Sequence, residues 1–191
     1  MLPYLYSTGW ETTISGIPMM RAMVLEYPED LSARNLDTQY MLGESLLVAP
    51  VFDQQKHHIY LPEGSWTDFE TGKRVSGGRW ITYPQNIEVI PMFLRENSCV
   101  PMLKTAPRHI ADENFTDLQI VMNIRDNLDQ TYYDDGVEGH IRAELQHGKL
   151  NITLTDVPAD SFKIYTMEAI TAVTVNGESS PFRMEDGCWT V

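Results

Sequence analysis

The hydrophobic pattern changes character along the chain. Up to about Gly43 the apolar residues are run together. Gly16-Ile17-Pro18-Met19-Met20-Arg21-Ala22-Met23-Val24-Leu25-Glu26-Tyr27-Pro28 is interrupted by charge only at Arg21 and Glu26. A run of that kind fits a strand buried on both faces, as in a parallel sheet covered by helices. Asn35-Leu36-Asp37-Thr38-Gln39-Tyr40-Met41-Leu42-Gly43 reads as a short helix, capped by Asn35 or Asp37 and stopped at Gly43. A lone parallel-type strand has nothing to pair with, so residues 1–43 are expected to be the end of a larger α/β sheet whose other strands precede Met1.

From about Glu44 onward short apolar runs alternate with Gly and Pro turns. Residues 46–52 form one run and residues 57–61 another, closed by Pro62-Glu63-Gly64. Trp66-Thr67-Asp68-Phe69, Lys73-Arg74-Val75, Arg79-Trp80-Ile81-Thr82-Tyr83, Ile87-Glu88-Val89-Ile90 and Ser98-Cys99-Val100-Pro101-Met102 continue the rhythm. This spacing predicts a β-sandwich over residues 44–105. Residues 104–116 have the composition of a linker. Residues 106–191 then predict a second β-sandwich, with alternation at 117–124, turns at Asp134-Asp135-Gly136 and Gln146-His147-Gly148, and a hairpin signal at Asn176-Gly177. The expected fold is mainly β: two consecutive β-sandwich domains preceded by a short α/β remnant.

Charge narrows the partners. The 191 residues carry a net charge of −13, which repels phosphate backbones and anionic lipid heads, so neither nucleic acid nor membrane is expected as a partner. A neutral ligand such as a sugar is compatible with this surface, and so is plain solubility. No run approaches the roughly 18 apolar residues of a membrane span, and Met1-Leu2-Pro3-Tyr4 shows no basic leader. Cys99 and Cys188 lie far apart and outside any CxxC spacing. They read as core thiols of a reducing, cytoplasmic compartment, with one long-range disulfide as the alternative.

Four stretches together resemble glycoside hydrolase family 31. They are residues 16–30; Gln39-Tyr40-Met41-Leu42-Gly43-Glu44-Ser45-Leu46-Leu47-Val48-Ala49-Pro50-Val51; residues 60–69 with Thr71-Gly72; and Ile90-Pro91-Met92-Phe93-Leu94-Arg95-Glu96-Asn97-Ser98 with Val100-Pro101. The first is most similar to the α-xylosidase branch. Tyr132-Tyr133-Asp134-Asp135-Gly136 is similar to an aromatic-acidic turn of the family's last β-domain. The resemblance implies that residues 1–43 end a catalytic (β/α)₈ barrel, and that residues 44–105 and 106–191 are its proximal and distal C-terminal sandwiches. It also implies a retaining α-glycosidase, an α-xylosidase or α-glucosidase, with an aspartate nucleophile and an aspartate acid/base. Both motifs precede the region this chain resembles. No catalytic, cofactor-binding or metal-binding residue is therefore transferred, and no cofactor is expected.

The remaining candidates are weighed on their own chemistry. Asp68 and Glu70 share a strand face roughly 6.5–7 Å apart, whereas retaining chemistry needs carboxyls about 5–5.5 Å apart across a sugar. Their place before Thr71-Gly72 favours a turn role. Asp134-Asp135-Gly136 could offer oxygens to calcium, but Asp-Gly is also a strong hairpin signal. His57 and His58 should point to opposite faces, and His140 and His147 should flank a hairpin, which argues against a metal. Trp66, Trp80, Tyr83 and Trp189 could stack on a sugar, with core packing as the favoured reading. Asn114 and Asn151 fit the glycosylation pattern by coincidence. The expected function is a non-catalytic structural part of an α-glycosidase, reaching α-linked xylosides or glucosides through the missing catalytic domain and prone to homo-oligomerise through its apolar segment. The alternative is a free-standing carbohydrate-binding module.

Overall fold

A computed structural model describes residues 1–51, 57–84, 88–106 and 115–191. Phe52, Ile87, most of the linker read at 104–116, and the acceptor Asn114 lie outside the described residues. In chain order the elements are α1 (Leu2–Ser15), β1 (Met20–Ala22), α2 (Met23–Glu26), β2 (Tyr40–Leu42), β3 (Leu46–Val48), β4 (His57–Leu61), β5 (Ser65–Asp68), β6 (Arg74–Ser76), β7 (Arg79–Tyr83), β8 (Met92–Arg95) and β9 (Ser98–Leu103). They continue as β10 (Leu118–Asn123), β11 (Asn127–Asp134), β12 (Val137–Gln146), β13 (Lys149–Thr155), β14 (Ala159–Tyr165), β15 (Ala172–Val175), β16 (Glu178–Ser179), β17 (Arg183–Glu185) and β18 (Cys188–Thr190). The chain is mainly β, as its turn rhythm predicts. It forms two compact units: Ile17–Glu96, and Met1–Gly16 together with Asn97–Val191.

In the unit of residues 17–96 an antiparallel sheet runs β1-β2-β3-β8-β5-β6, and β4 pairs with β7 in a separate ribbon. Their apolar faces share one core, including Met41, Leu47 and Phe93 from the sheet and Ile59 and Leu61 from the ribbon, with Trp66 fully buried. Two-stranded ribbons are marginal alone, and this one is held on its open edge by a side chain. The buried Gln39 donates from Nε2 to the Tyr60 carbonyl at 2.7 Å and accepts the Tyr60 N–H at 2.9 Å. One amide thus stands in for a missing strand.

Two expectations for this unit are corrected. The run after Gly16 is not a doubly buried parallel strand. β1 is three residues long, antiparallel to β2, and buries only Arg21, leaving Met20 and Ala22 exposed. Arg21 turns inward because Glu26 meets it at 2.7 Å, their side chains 5% and 15% exposed; a buried charge is tolerable when so paired. The two charges that interrupt the apolar run therefore face in, while Val24 and Leu25 face out. Residues 35–43 are not a helix either. Tyr40–Leu42 is β2, paired on both sides by β1 and β3, and Gly43 makes the turn into β3 at φ 58°. Sheet pairing outweighs weak local helix propensity here. The hydrogen-bonded ladder therefore continues across Gly43.

The other unit is a sandwich of two five-stranded sheets, β17-β18-β14-β10-β9 and β11-β12-β13-β15-β16. Period-2 burial is plain in β12, where Ile141, Ala143 and Leu145 face inward. They meet Ile120, Met122, Phe162 and Ile164 of the facing sheet in one core. β9 pairs antiparallel with β10, which places residues 98–103 in this sandwich. Helix α1 belongs to it as well, ending at Gly16 in the left-handed region at φ 73°. It lies against the edge strand β11, where Ser7 Oγ donates to the Tyr133 carbonyl and accepts the Tyr133 N–H, both at 3.0 Å. Trp10 stacks on the Tyr133 ring at 4.4 Å.

Replacing Gln39 by Ala leaves a buried N–H and carbonyl of Tyr60 without partners. At about 1–3 kcal/mol per orphaned group, Gln39→Ala is expected to lower stability by about 2–4 kcal/mol in urea titrations followed by tryptophan fluorescence. An unchanged midpoint would contradict the clamp.

Candidate functional site

Asp68 ends β5 with its carboxylate buried. Oδ1 accepts the backbone N–H of Glu70 at 3.0 Å and of Thr71 at 2.9 Å, and Gly72 N–H closes on the Asp68 carbonyl at 2.8 Å. The Tyr83 hydroxyl also hydrogen-bonds to this carboxylate. Burial, that hydrogen bond and the Asp68 charge push Tyr83 above the usual tyrosine range. The carboxylate is thus committed to holding its own turn, the physical basis of the favoured sequence reading. Glu70 lies exposed beyond it.

The aromatic-acidic turn has the same logic. Asp134 is buried, and its Oδ2 accepts from the Phe115 N–H and, at 3.3 Å, from the Tyr132 hydroxyl. Asp135 and Gly136 follow at φ 35° and 88°, the pair of positive φ values that a two-residue hairpin loop needs. Gly136 N–H donates to the Tyr133 hydroxyl at 3.0 Å. Burial, with the Asp134 charge and hydrogen bond, raises the Tyr132 phenol. Among the described residues no group of three or more His, Cys, Asp or Glu is arranged to hold a metal ion.

The histidines are dispersed. His57 donates from Nε2 to the Ala49 carbonyl at 3.0 Å, and the exposed His58 lies 3.4 Å from Thr82 Oγ1. His140 sits within β12, and His147 makes the β12–β13 turn at φ 51°. Cys99 and Cys188 are both free and buried. The Cys99 thiol points to Gln130 Oε1 at 3.4 Å, and burial raises the Cys188 thiol.

The aromatic residues separate. Trp66 is core, its Nε1 donating to the Pro62 carbonyl at 2.8 Å. Tyr83 meets Phe93 edge-on at 5.8 Å, and Trp189, in the other unit, pairs with Phe182 at 5.7 Å. Trp80 alone is exposed, at 52%. It lies opposite Tyr60 in the β4–β7 register, ring centroids 5.4 Å apart. Tyr60 donates its hydroxyl to Asp30 Oδ2 at 2.8 Å, while Asp30 Oδ1 accepts the Ser32 N–H at 2.9 Å. On the Asp30 side of Tyr60 a cleft of about 690 Å³ opens, lined by Glu26, Tyr27, Glu29, Asp30, Tyr60 and Glu63 among others; Trp80 borders it through Tyr60. Asp30 and Gln39 carry no short-range motif, so sequence reasoning missed them. The Tyr27 hydroxyl is buried without a hydrogen-bond partner, and burial pushes it up to about 12.

Layered, mainly antiparallel strands over shared cores define a β-rich, sandwich-type class of domain. Residues 16–100 match the glycosyl hydrolase family 31 C-terminal domain. The chain is 36% identical over 191 residues to an isomaltosyltransferase of Sporosarcina globispora, covering 93% of this chain and 17% of that protein. It is 42% identical over 113 residues to an α-xylosidase of Emericella nidulans, covering 53% of this chain and 14% of that one. Among solved structures, a cycloalternan-forming enzyme from Listeria monocytogenes in complex with pentasaccharide substrate superposes at a TM-score of 0.83, with 28% identity over 93% of this chain and 18% of that one. The chain belongs to glycoside hydrolase family 31. It spans about a sixth of the length of the curated relatives it matches.

Three phenols with raised pKa values set an alkaline limit. The folded state holds the proton on Tyr27, Tyr83 and Tyr132 more tightly than the unfolded state, whose tyrosines titrate near about 10. Their contribution is intact below about pH 10 and lost as pH rises through the folded values. Urea midpoints should hold level up to about pH 10 and then fall, and Tyr132→Phe should make that fall shallower. An equally steep fall in the variant would contradict the assignment.

Proposed function

We propose that this chain is a non-catalytic, structural C-terminal part of a retaining α-glycosidase, an α-xylosidase or α-glucosidase hydrolysing terminal α-linked sugars. The sequence-based division assigns residues 1–43 to the end of its catalytic barrel and 44–105 and 106–191 to proximal and distal β-domains; the compact units shift that last boundary to Asn97, so that β9 joins the distal domain. The observation that supports this most is the match to the family's C-terminal domain over residues 16–100, together with acids already occupied by structural donors, Asp68 by its own turn and Asp134 by Phe115 and Tyr132. Substrate reaches the whole enzyme as a neutral α-linked xyloside or glucoside. Nucleic acid and membrane are not partners, in keeping with a net charge of −13 and with the lack, among the described residues, of any helix long and apolar enough to cross a membrane. The free thiols Cys99 and Cys188 suit the cytoplasm.

The apolar side chains of Ile17, Met20, Val24 and Leu25, with the outer edge of β1, form the surface expected to meet the remainder of the barrel. Without that remainder the same surface favours self-association. The purified chain should therefore hydrolyse neither an aryl α-xyloside nor an aryl α-glucoside. Turnover abolished by Asp68→Asn or Asp134→Asn would overturn the non-catalytic assignment. In sedimentation experiments the chain should associate as concentration rises, and Leu25→Glu should shift it toward monomer. A monomer at all concentrations would remove the apolar surface as a contact.

A further inference from the structure

We propose that Trp80, Tyr60, Asp30 and Glu63 form a binding subsite for a neutral oligosaccharide, with one pyranose ring lying on the exposed indole of Trp80 and sugar hydroxyls donating to the carboxylates. The site lies within the unit of residues 17–96 and needs no catalytic group.

The first observation is the exposure of Trp80. Trp66 is buried, and Trp10 and Trp189 are half-buried against other rings, whereas Trp80 leaves a large flat apolar surface in water. An aromatic face of this size suits the apolar C–H face of a pyranose, and its rigidity limits the entropy lost on binding. The second observation is that its surroundings are fixed beforehand. Tyr60, only 7% exposed, supports the indole from across the ribbon. Its backbone is clamped by Gln39 on both polar groups, and its hydroxyl is committed to Asp30. Preorganisation of this kind lowers the ordering that binding would otherwise require.

The third observation is the polar chemistry. Asp30 is held by one donor on each oxygen, the Tyr60 hydroxyl and the Ser32 N–H. A carboxylate has about four acceptor positions, so Asp30 retains acceptor capacity while its orientation is set. Glu63 and Glu29 add further carboxylates on the cleft wall, and Glu26 a fourth that is paired with Arg21. Beside Glu63, Gly78 adopts φ +71°, and a Cβ there would come within 3.5 Å of Glu63 Cγ. A bare backbone at that position keeps the wall low. Among the described residues no Lys or Arg lines the cleft; Arg21 and Arg95 pair with Glu26 at its wall, and the lining of Glu29, Asp30 and Glu63 offers acceptors. That excludes phosphorylated or carboxylated sugars and selects ligands rich in hydroxyl donors. The cleft's size of about 690 Å³ falls within the usual range for small-ligand sites.

The test titrates the whole chain with isomaltose and, separately, with a lysine tripeptide at constant ionic strength, following tryptophan fluorescence. Isomaltose should give a saturable change with half-saturation in the millimolar range. Trp80→Ala should weaken it by roughly tenfold, the factor corresponding to loss of one ring-stacking contact. Trp189→Phe should leave it intact. Asp30→Ala should also weaken binding. Trp80→Ala removes an exposed ring, so its urea midpoint serves as the control for folding. Should that variant unfold, Trp80→Leu, which keeps apolar bulk on the ribbon but offers no flat ring, should weaken binding likewise. No saturable response to isomaltose, a response that survives at full strength in folded Trp80→Ala or Trp80→Leu, or a response to the tripeptide in place of the sugar would each overturn the proposal. These outcomes leave the structural role untouched, since that role is tested by turnover and association.

Discussion

Every strand edge exposes backbone N–H and carbonyl groups that must find partners, and this constraint organises both units. The chain meets it twice with the same device. Gln39 presents donor and acceptor to Tyr60 at the open side of the β4–β7 ribbon, and Ser7 presents both to Tyr133 on edge strand β11. In each case one polar side chain imitates one residue of a neighbouring strand. The ribbon is thereby held over the core it shares with the sheet, and helix α1 is held against the sandwich. The acids follow the same rule: Asp68 and Asp134 are turned to backbone N–H groups in a turn and a connecting segment.

The pairing of Arg21 with Glu26 shows how charge can reverse an apolar pattern. A hydrophobic run is ordinarily read with its charges at the surface. Here the charges satisfy each other beneath the surface, and Arg95 adds a second cation 3.7 Å from Glu26 and packs over the Tyr27 ring at 5.2 Å. The apolar side chains are displaced outward by that arrangement. Hydrophobicity alone carries no information about which of two faces will bury an ion pair.

Much of the architecture was legible because it rests on local rules. The turns at Asp134-Asp135-Gly136, His147-Gly148 and Asn176-Gly177 all adopt the positive φ values their residues favour. The alternation expected at 117–124 does not hold: β10, paired on both sides by β9 and β14, is buried along nearly its whole length, and period-2 burial appears in β12 and β13. The turn role of Asp68 and the core role of Trp66 followed from the same kind of reasoning, whereas the Asp134 carboxylate is held by the distant Phe115 N–H. What escaped depends on distant partners. The helix expected at 35–43 gave way to β2 because strands on both sides claimed it. The Asp30–Tyr60 contact spans thirty positions, and nothing in either neighbourhood marks it. The exposure of Trp80, alone among four tryptophans, likewise depends on tertiary position and not on residue type.

Ser7 and Tyr133 are separated by 126 positions. The sandwich is assembled from both ends of the sequence, with residues 17–96 inserted between its helix and its strands. During synthesis α1 precedes its partner strand β11, which appears only after residues 17–96 have been made. The helix cannot dock until then, and closing so large a loop is entropically slow. The inserted unit, whose pairings all lie within residues 17–96, can complete its sheet in the meantime. Folding order is thus written into the chain's connectivity, with a helix translated before the inserted unit docking after it.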